Sequence, residues 1–293
     1  MNWVPLFFID DVCHQLRNPT LSKVSQLSGS WPSFGAEHGE KRREFGFRCE
    51  LNGNQEVRYS LWGTDRAYPG EVTVADLNSE FDRITHFAFN SALCNDTLPN
   101  GTRVNRVSLR EFEGDILPTI APLVINCSWW YFRPKHREQS RIFFNAFKNC
   151  PGFNDIRVTE QGEESRNFVA RQVKLGNVQR LTLCGTGKWP EEENLGETLK
   201  IFVSSARFHS LYSSDPLRNH YELFELFLER ALAKELKPGA SISTAAGNFD
   251  KNRFLALHPE CRHNSEKDAW RIPDSNLRIA LRHGSGMLCL EVK

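Results

Sequence analysis

The stretch that decides the fold is DIRVTEQGEESRNFVARQVKLGNVQRLTL, residues 155–183. It opens with an alternating strand pattern over residues 155–159 and closes with a second strand pattern over residues 178–183. Between them, Phe168, Val169 and Val173 form one apolar stripe at helical spacing, which predicts a helix. Because a helix separates the two strands, we expect them to run parallel in one sheet.

The same alternation of short strands and helices extends through most of the chain, which predicts an α/β fold with one mostly parallel sheet. A β-hairpin is predicted on each side of this region. In the first, Asn52-Gly53 forms the turn between alternating runs at 47–51 and 57–61. The second joins alternating runs at 277–281 and 288–292, and we expect it at one end of the sheet. The candidate strands between the hairpins are residues 84–89, 104–109, 124–130, 155–159, 178–183, 209–213 and 241–244.

The N-terminal region has a different pattern. Residues 4–16 and 20–31 are each predicted to form a short helix with one apolar face. Residues 32–44 are rich in Gly, Ser and charge, and they begin with Pro32 and include the basic run Lys41-Arg42-Arg43. We therefore expect a solvated linker or exposed loop there, with a helical head and linker at 1–44 and a helix/strand body at 45–293.

The composition excludes some classes of protein. Lys and Arg number 37 and Asp and Glu 36, which argues against a protein that holds a nucleic-acid backbone. No apolar run is long enough to span a membrane, and the apolar N-terminus lacks the basic residues of a signal peptide. The eight cysteines are scattered without Cys-x-x-Cys spacing. We expect a soluble protein of the cytoplasm or nucleus.

Three motifs that could carry chemistry are incomplete. Gly185-Thr186-Gly187-Lys188 follows a predicted strand, but the first glycine of a phosphate-binding loop and the Ser or Thr after its lysine are missing. The run from His258 to His263 has no second pair of zinc ligands near it. No serine lies in Gly-x-Ser-x-Gly. We therefore expect no cofactor, no metal and no enzymatic activity.

Residues 129–132, Trp-Trp-Tyr-Phe, form the densest aromatic run. At strand spacing, Trp129 and Tyr131 lie on one face and Trp130 and Phe132 on the other. Both faces could be covered, one by the core and the other by a neighbouring segment. Alternatively, one pair could be exposed as a hot spot for a protein partner, where Trp and Tyr are enriched.

The segments that precede three predicted strands are alike. Residues 149–153 precede the strand at 155–159, residues 175–177 precede the one at 178–183, and residues 206–208 precede the one at 209–213. This arrangement resembles irregular leucine-rich repeats, in which each unit buries its apolar face against its neighbours. A compact α/β domain would give a similar alternation, so an open solenoid and a compact domain both remain possible.

The first 31 residues resemble an F-box, the helical module that binds the Skp-type adaptor of cullin–RING ubiquitin ligases. Val4-Pro5 stands where the family has Leu-Pro, Leu16 closes the first helix, and residues 27–31 end in Trp31 as the family's last stretch does. The rest of the chain resembles the body of divergent, nematode-type F-box proteins, on residues 177–183, His258-Pro259 and residues 270–279.

The resemblance implies a substrate receptor. Its short helical F-box-like head would bind the Skp-type adaptor and cullin, and its irregular leucine-rich-repeat-like body would select a protein substrate. A protein-binding α/β scaffold without a ligase role is the alternative, and an exposed head would favour the receptor over it. The residues that the resemblance assigns to the adaptor contact are Pro5, Phe8, Val12, Leu16, Leu21, Val24, Leu27 and Trp31.

Overall fold

The structure is a computed structural model, and the chain folds into two compact units, residues 1–135 with 145–153 and residues 136–144 with 154–293. The residues it describes are 4–16, 18–51, 56–64, 72–89, 102–132, 137–185, 189, 193–217, 220–245, 262–264, 269–271, 277–282 and 287–293. Both units combine helices with a sheet, which confirms the α/β class.

The first unit begins with three helices, α1 (Leu6–Gln15), α2 (Asn18–Val24) and α3 (Trp31–Lys41). The helix predicted over 20–31 is therefore wrong in its second half. Gly29 has φ 77°, a left-handed conformation that cannot continue a right-handed helix. The chain turns there, and Trp31 starts α3.

The linker predicted at residues 32–44 is also wrong, because α3 and the start of the first strand occupy it. Pro32 lies in the first turn of α3, where a missing N–H costs nothing, so it marks the start of a helix and not an interruption. Gly35 is buried against α2, and an added Cβ there would lie 2.9 Å from Cγ1 of Val24. The small residues of this segment permit close helix packing.

The sheet of the first unit has the strands β1 (Arg43–Leu51), β2 (Glu56–Gly63), β3 (Asp82–Phe89), β4 (Asn105–Ser108) and β5 (Val124–Phe132), in the order β5-β3-β1-β2-β4. β1 runs parallel to β3, which runs parallel to β5, whereas β2 is antiparallel to both of its neighbours. The predicted first hairpin is confirmed, with Leu51 opposite Val57 and Phe47 opposite Leu61.

Phenylalanine rings fill the core of the first unit. The Phe87 ring lies 5.4 Å from Phe47 and 4.9 Å from Phe147, and Phe147 lies 5.9 Å from Phe153, all between ring centroids. Phe112 stacks on Phe47. It belongs to a run of short helical turns that connects β4 to β5: α4 (Leu109–Glu111), Phe112–Ile116, α5 (Leu117–Ile120) and Ala121–Leu123. All five rings are fully buried.

Four parallel strands in sequential order form the centre of the second unit: β6 (Asp155–Thr159), β7 (Arg180–Cys184), β8 (Ser210–Ser213) and β9 (Ser241–Ala245). The connecting helices are α7 (Glu163–Leu175), α8 (Glu193–Ser204) and α9 (His220–Leu232), after α6 (Arg137–Phe147). The parallel pairing predicted from residues 155–183 is therefore confirmed for these four strands, but the sheet of this unit as a whole is mixed and not mostly parallel, because four antiparallel pairs extend it.

The starts of successive strands also share a hydrogen-bond pattern. The Asn154 carbonyl accepts from the N–H groups of Gln179 and Arg180, and the Gln179 carbonyl accepts from those of His209 and Ser210. The His209 carbonyl then accepts from Ser241 N–H. The backbone at the start of each of these strands is thus hydrogen-bonded to the start of the next one. Kinship with leucine-rich repeats remains a prediction.

The end of the chain extends this sheet by antiparallel pairing. β13 (Met287–Val292) pairs with β9 and with β12 (Leu277–Arg282), so the predicted terminal hairpin is confirmed. β11 (Ala269–Arg271) and β10 (Arg262–Asn264) follow outward in the sheet.

Candidate functional site

The three N-terminal helices enclose a small apolar interior. Ile9 and Cys13 of α1 meet Leu21 and Val24 of α2 there, and all four side chains are buried. Val4, Leu16, Trp31 and Phe34 pack around them and are partly buried. The i, i+4 spacing of Ile9 and Cys13 explains why this face of α1 turns inward.

A buried arginine caps the C-terminal end of α1. The Arg42 guanidinium donates to the carbonyls of Cys13 (2.9 Å), His14 (3.4 Å) and Leu16. The last carbonyls of a helix have no partner within the helix and carry partial negative charge, so a guanidinium suits them. The solvated loop expected at Lys41-Arg42-Arg43 is therefore wrong at Arg42, which is only 5% exposed.

A second arginine, Arg83 of β3, reaches the same end of α1. It is among the fully buried side chains and donates to the carbonyls of His14 (3.2 Å) and Glu80 (2.8 Å) and to Nδ1 of His14. Burial, and then the charge of Arg42, lowers the pKa of Arg83 to about 9. Arg83 still carries its proton at neutral pH, and its charge is satisfied mainly by helix-terminal and backbone carbonyls.

Two histidines complete this cluster, and their partners assign their tautomers. His38 Nδ1 accepts from Arg42 (3.1 Å), which leaves Nε2–H to donate to Asp10 at 2.7 Å. His14 Nδ1 accepts from Arg83, so its ring is neutral. Burial, followed by the charges of Arg83 and Arg42, lowers the pKa of His14 to about 4.

The low pKa of His14 predicts acid sensitivity. Below the ordinary pKa of about 6.5, the unfolded chain binds a proton that the folded chain does not accept until about pH 4. The free energy of unfolding should therefore fall across this window, by at most about 3 kcal/mol. His14→Asn keeps an acceptor for Arg83 but does not titrate. Urea unfolding of this variant should therefore show a smaller loss of the free energy of unfolding between about pH 6.5 and 4.

His209 of the second unit provides the matched control, since burial also lowers its pKa. His209→Asn should leave most of the acid sensitivity in place, because no arginine among the described residues is bonded to the His209 ring and its pKa is lowered chiefly by burial. Equal pH profiles of the His14→Asn variant and the parent chain would contradict the assignment.

The helices are also tied to β5. Asn126, at φ 51°, donates from Nδ2 to the Gln15 carbonyl at 2.5 Å. Three side chains outside α1 thus hydrogen-bond its C-terminal end: those of Arg42, Arg83 and Asn126. All of these contacts lie within the first unit. Deleting the N-terminal helices would remove the carbonyls that Arg83 and Asn126 bond, so point substitutions on the exposed surface are the better test of binding.

An apolar patch lies on the outside of this segment. Leu6, Phe7 and Phe8 in the first turn of α1 are 56%, 72% and 49% exposed, and Leu27, after α2, is 52% exposed. Among the described residues, the other large apolar side chains with comparable exposure are scattered: Val104, Ile201, Tyr212 and Leu232. Consecutive exposed apolar residues are typical of a protein-binding surface, and we call Leu6, Phe7 and Phe8 the N-terminal patch.

The residues that the resemblance assigned to the adaptor contact divide into three groups in the structure. Phe8 and Leu27 are exposed, whereas Leu21 and Val24 lie in the interior of the three helices. A partner that binds the folded segment would contact the first pair and not the second. The partly buried members are Pro5, Val12, Leu16 and Trp31.

Sequence reasoning missed Leu6 and Phe7, the two most exposed members of the patch. A signal was present in the spacing: three consecutive apolar residues at 6–8 cannot share one helix face. With Ile9 and Cys13 facing inward, at least part of that run had to be exposed.

Most residues of the incomplete motifs lie outside the part of the chain that the structure describes. Gly185 directly follows β7, but residues 186–188 and 258–261 lie outside the described residues. Trp129 and Trp130 lie in β5 opposite His86 and Phe87, with side chains that the structure does not describe, so both interpretations of the aromatic run stay predictions. Within the described ranges, no group of three or more His, Cys, Asp or Glu side chains could hold a metal ion.

No protein-family model, no curated protein and no solved structure matches this chain. Of the helices that the structure describes, none combines the length and apolar character required to cross a membrane.

Proposed function

We propose that this protein is a substrate-recognition subunit of a cullin–RING ubiquitin ligase and that it binds a Skp-type adaptor through the N-terminal patch. The observation that carries the proposal is the exposure of Leu6, Phe7 and Phe8 on one short helix. Leaving three large apolar side chains in water has an unfavourable solvation free energy, which a helical partner with an apolar groove would remove.

The resemblance of residues 4–31 to an F-box supports this choice of partner. In that comparison, Val4-Pro5 stands at the start of the module, directly before the patch. Leu16 and Trp31 close the family's first and last stretches, and both are partly buried against the interior of the segment. They would support the docking surface from beneath, while Phe7 and Phe8 would make the contact.

A scaffold that binds proteins without a ligase role is the second candidate. The observation in its favour is the buried cluster of Arg42 and Arg83, which fixes the helices to the strands of the first unit. Such attachment is expected of helices that belong to the core of their unit. It is also compatible with docking, since the patch lies in the first turn of α1 and the two arginines bond carbonyls at its C-terminal end.

The test is binding of the full chain to purified Skp-type adaptor with cullin. Phe7→Asp should weaken binding at least about ten-fold, because it places a charge in a contact that excludes water. The variant should keep its circular dichroism spectrum and melting temperature, since Phe7 is 72% exposed.

Leu232→Asp is the matched control, a substitution of the same type on α9 at a side chain that is 44% exposed. It should leave adaptor binding unchanged. If the parent chain binds no adaptor, the ligase role is wrong and the scaffold is favoured. Equal losses for both variants would mean that the N-terminal patch is not the contact.

A further inference from the structure

The sheet formed by β6–β9 has one buried face and one open face. Ile156, Leu181, Leu211 and Ile242 stand side by side in the register of the four strands, and all are buried. The side chains between them along each strand point to the opposite face, because successive residues of a strand alternate. That opposite face is exposed or partly buried at every strand.

Two rows of side chains form the open face. One row runs through Arg157, Thr182, Tyr212 and Ser243, which are aligned from β6 to β9. Tyr212 is 40% exposed and is the one large side chain between small hydroxyl residues. An exposed tyrosine flanked by small polar groups gives a second chain both a ring to pack on and space for its backbone.

The preceding row adds charge. It runs through Asp155, Arg180, Ser210 and Ser241 and ends at Glu291 on β13. Arg180 Nη1 lies 3.8 Å from Asp155 Oδ2, and the Arg180 side chain is 55% exposed. An ion pair this long between exposed side chains contributes little to stability. The Arg180 guanidinium can therefore bind another carboxylate.

Positive charge predominates where these rows begin. Arg180 is the first residue of β7, and Lys237 lies four residues before β9. Burial, and then the charges of these two residues, lowers the pKa of His209, which directly precedes β8. Arg157 lies in the Tyr212 row, and no carboxylate occupies that row between β6 and β9. Arg157, Arg180 and Lys237 thus outnumber Asp155 and Glu291.

We propose that the open face of β6–β9, with Arg180 and Tyr212 on its two central strands, binds an extended segment of a target protein that carries acidic side chains. The inference rests on the proposed function, since it names the class of target that the receptor would select. Arg180 has a planar donor group that can pair with a carboxylate, and Tyr212 on the next strand would pack against the segment's backbone.

The experiment is selection of peptides by the full chain from a display library of random short sequences. We expect the selected peptides to contain Asp and Glu well above the library frequency. The affinity of a selected peptide should fall at least about ten-fold with Tyr212→Ala and with Arg180→Glu. It should also fall as salt is raised, because exposed charge pairs are screened.

Ile201→Ala, at a 50% exposed position on α8, is the control variant and should leave the peptide affinity unchanged. A peptide with Lys in place of its acidic residue should bind the Arg180→Glu variant better than the parent. Failure to select any peptide, selection without acidic enrichment, or equal affinity for all variants would overturn the proposal.

Adaptor binding, measured on the same variants, separates this inference from the proposed function. Arg180→Glu and Tyr212→Ala should lose the peptide and keep the adaptor, while Phe7→Asp should do the reverse. A chain that selects acidic peptides but never binds adaptor would refute the ligase role alone.

Discussion

Gly152→Ala is expected to lower the free energy of unfolding by at least about 3 kcal/mol. A Cβ at this position would overlap the backbone carbonyl of Val124, a rigid group that cannot move aside. The Gly152 carbonyl also accepts from Cys127 N–H at 2.6 Å, so the two segments cannot separate without losing that bond. Urea unfolding followed by circular dichroism measures the loss.

Gly39→Ala provides the control for this substitution. Gly39 lies in α3, and an added Cβ would meet nothing within 4 Å. Alanine there should raise the free energy of unfolding by up to about 1 kcal/mol, because glycine is the poorer helix former. If Gly152→Ala were as stable as the parent chain, the close approach of residues 152 and 124 would be refuted.

Arg83→Met is expected to cost about 3–5 kcal/mol, the range for breaking a buried charged network. Methionine preserves much of the volume but none of the donors, so the carbonyls of His14 and Glu80 and the ring nitrogen of His14 lose a partner. A buried acceptor without a donor carries its full desolvation penalty. Chemical unfolding near neutral pH would measure this change.

Arg110→Met tests whether loss of charge alone matters, since Arg110 is exposed in α4. It should alter stability by no more than about 0.5 kcal/mol. The stability cost of Arg83→Lys should fall between those of Arg83→Met and Arg110→Met, because one ammonium can keep the charge but cannot reach all of the acceptors. A cost below about 1 kcal/mol for Arg83→Met would mean that the cluster does not hold α1 in place.

The parallel strands of the second unit could be predicted because their pattern is local. Residues 155–159 alternate with period two and residues 163–175 with helical period, so each element can be recognised without knowledge of its neighbours. The first hairpin was predictable for the same reason, from Asn52-Gly53 between two alternating runs. Parallel pairing then followed from the intervening helix.

The segment at 32–44 could not be predicted in this way. Its Pro, Gly, Ser and charged residues are individually typical of loops, yet they form α3 because Pro32 fits a first turn and Gly35 allows α2 to approach. Whether a glycine is a breaker or a packing contact depends on what lies against it. That information is held by α2, not by the sequence of the segment itself.

The candidate site also has one part that could be predicted from the sequence and one that could not. The apolar character of residues 6–8 is visible in the sequence, and so is the impossibility of burying all three on one face of a helix. Which of them are exposed depends on how Ile9 and Cys13 pack against Leu21 and Val24, a contact between helices.

The sequence by itself determined the class of the fold, the sequential parallel strands of the second unit and both hairpins, because backbone periodicity and turn residues act over short distances. Only the tertiary structure decided that Arg42 and Arg83 are buried and that the row through Arg157 and Tyr212 is open. A charged side chain is buried or exposed according to the acceptors that surround it, and for Arg83 two of those acceptors belong to His14 of α1, far from β3 in the chain.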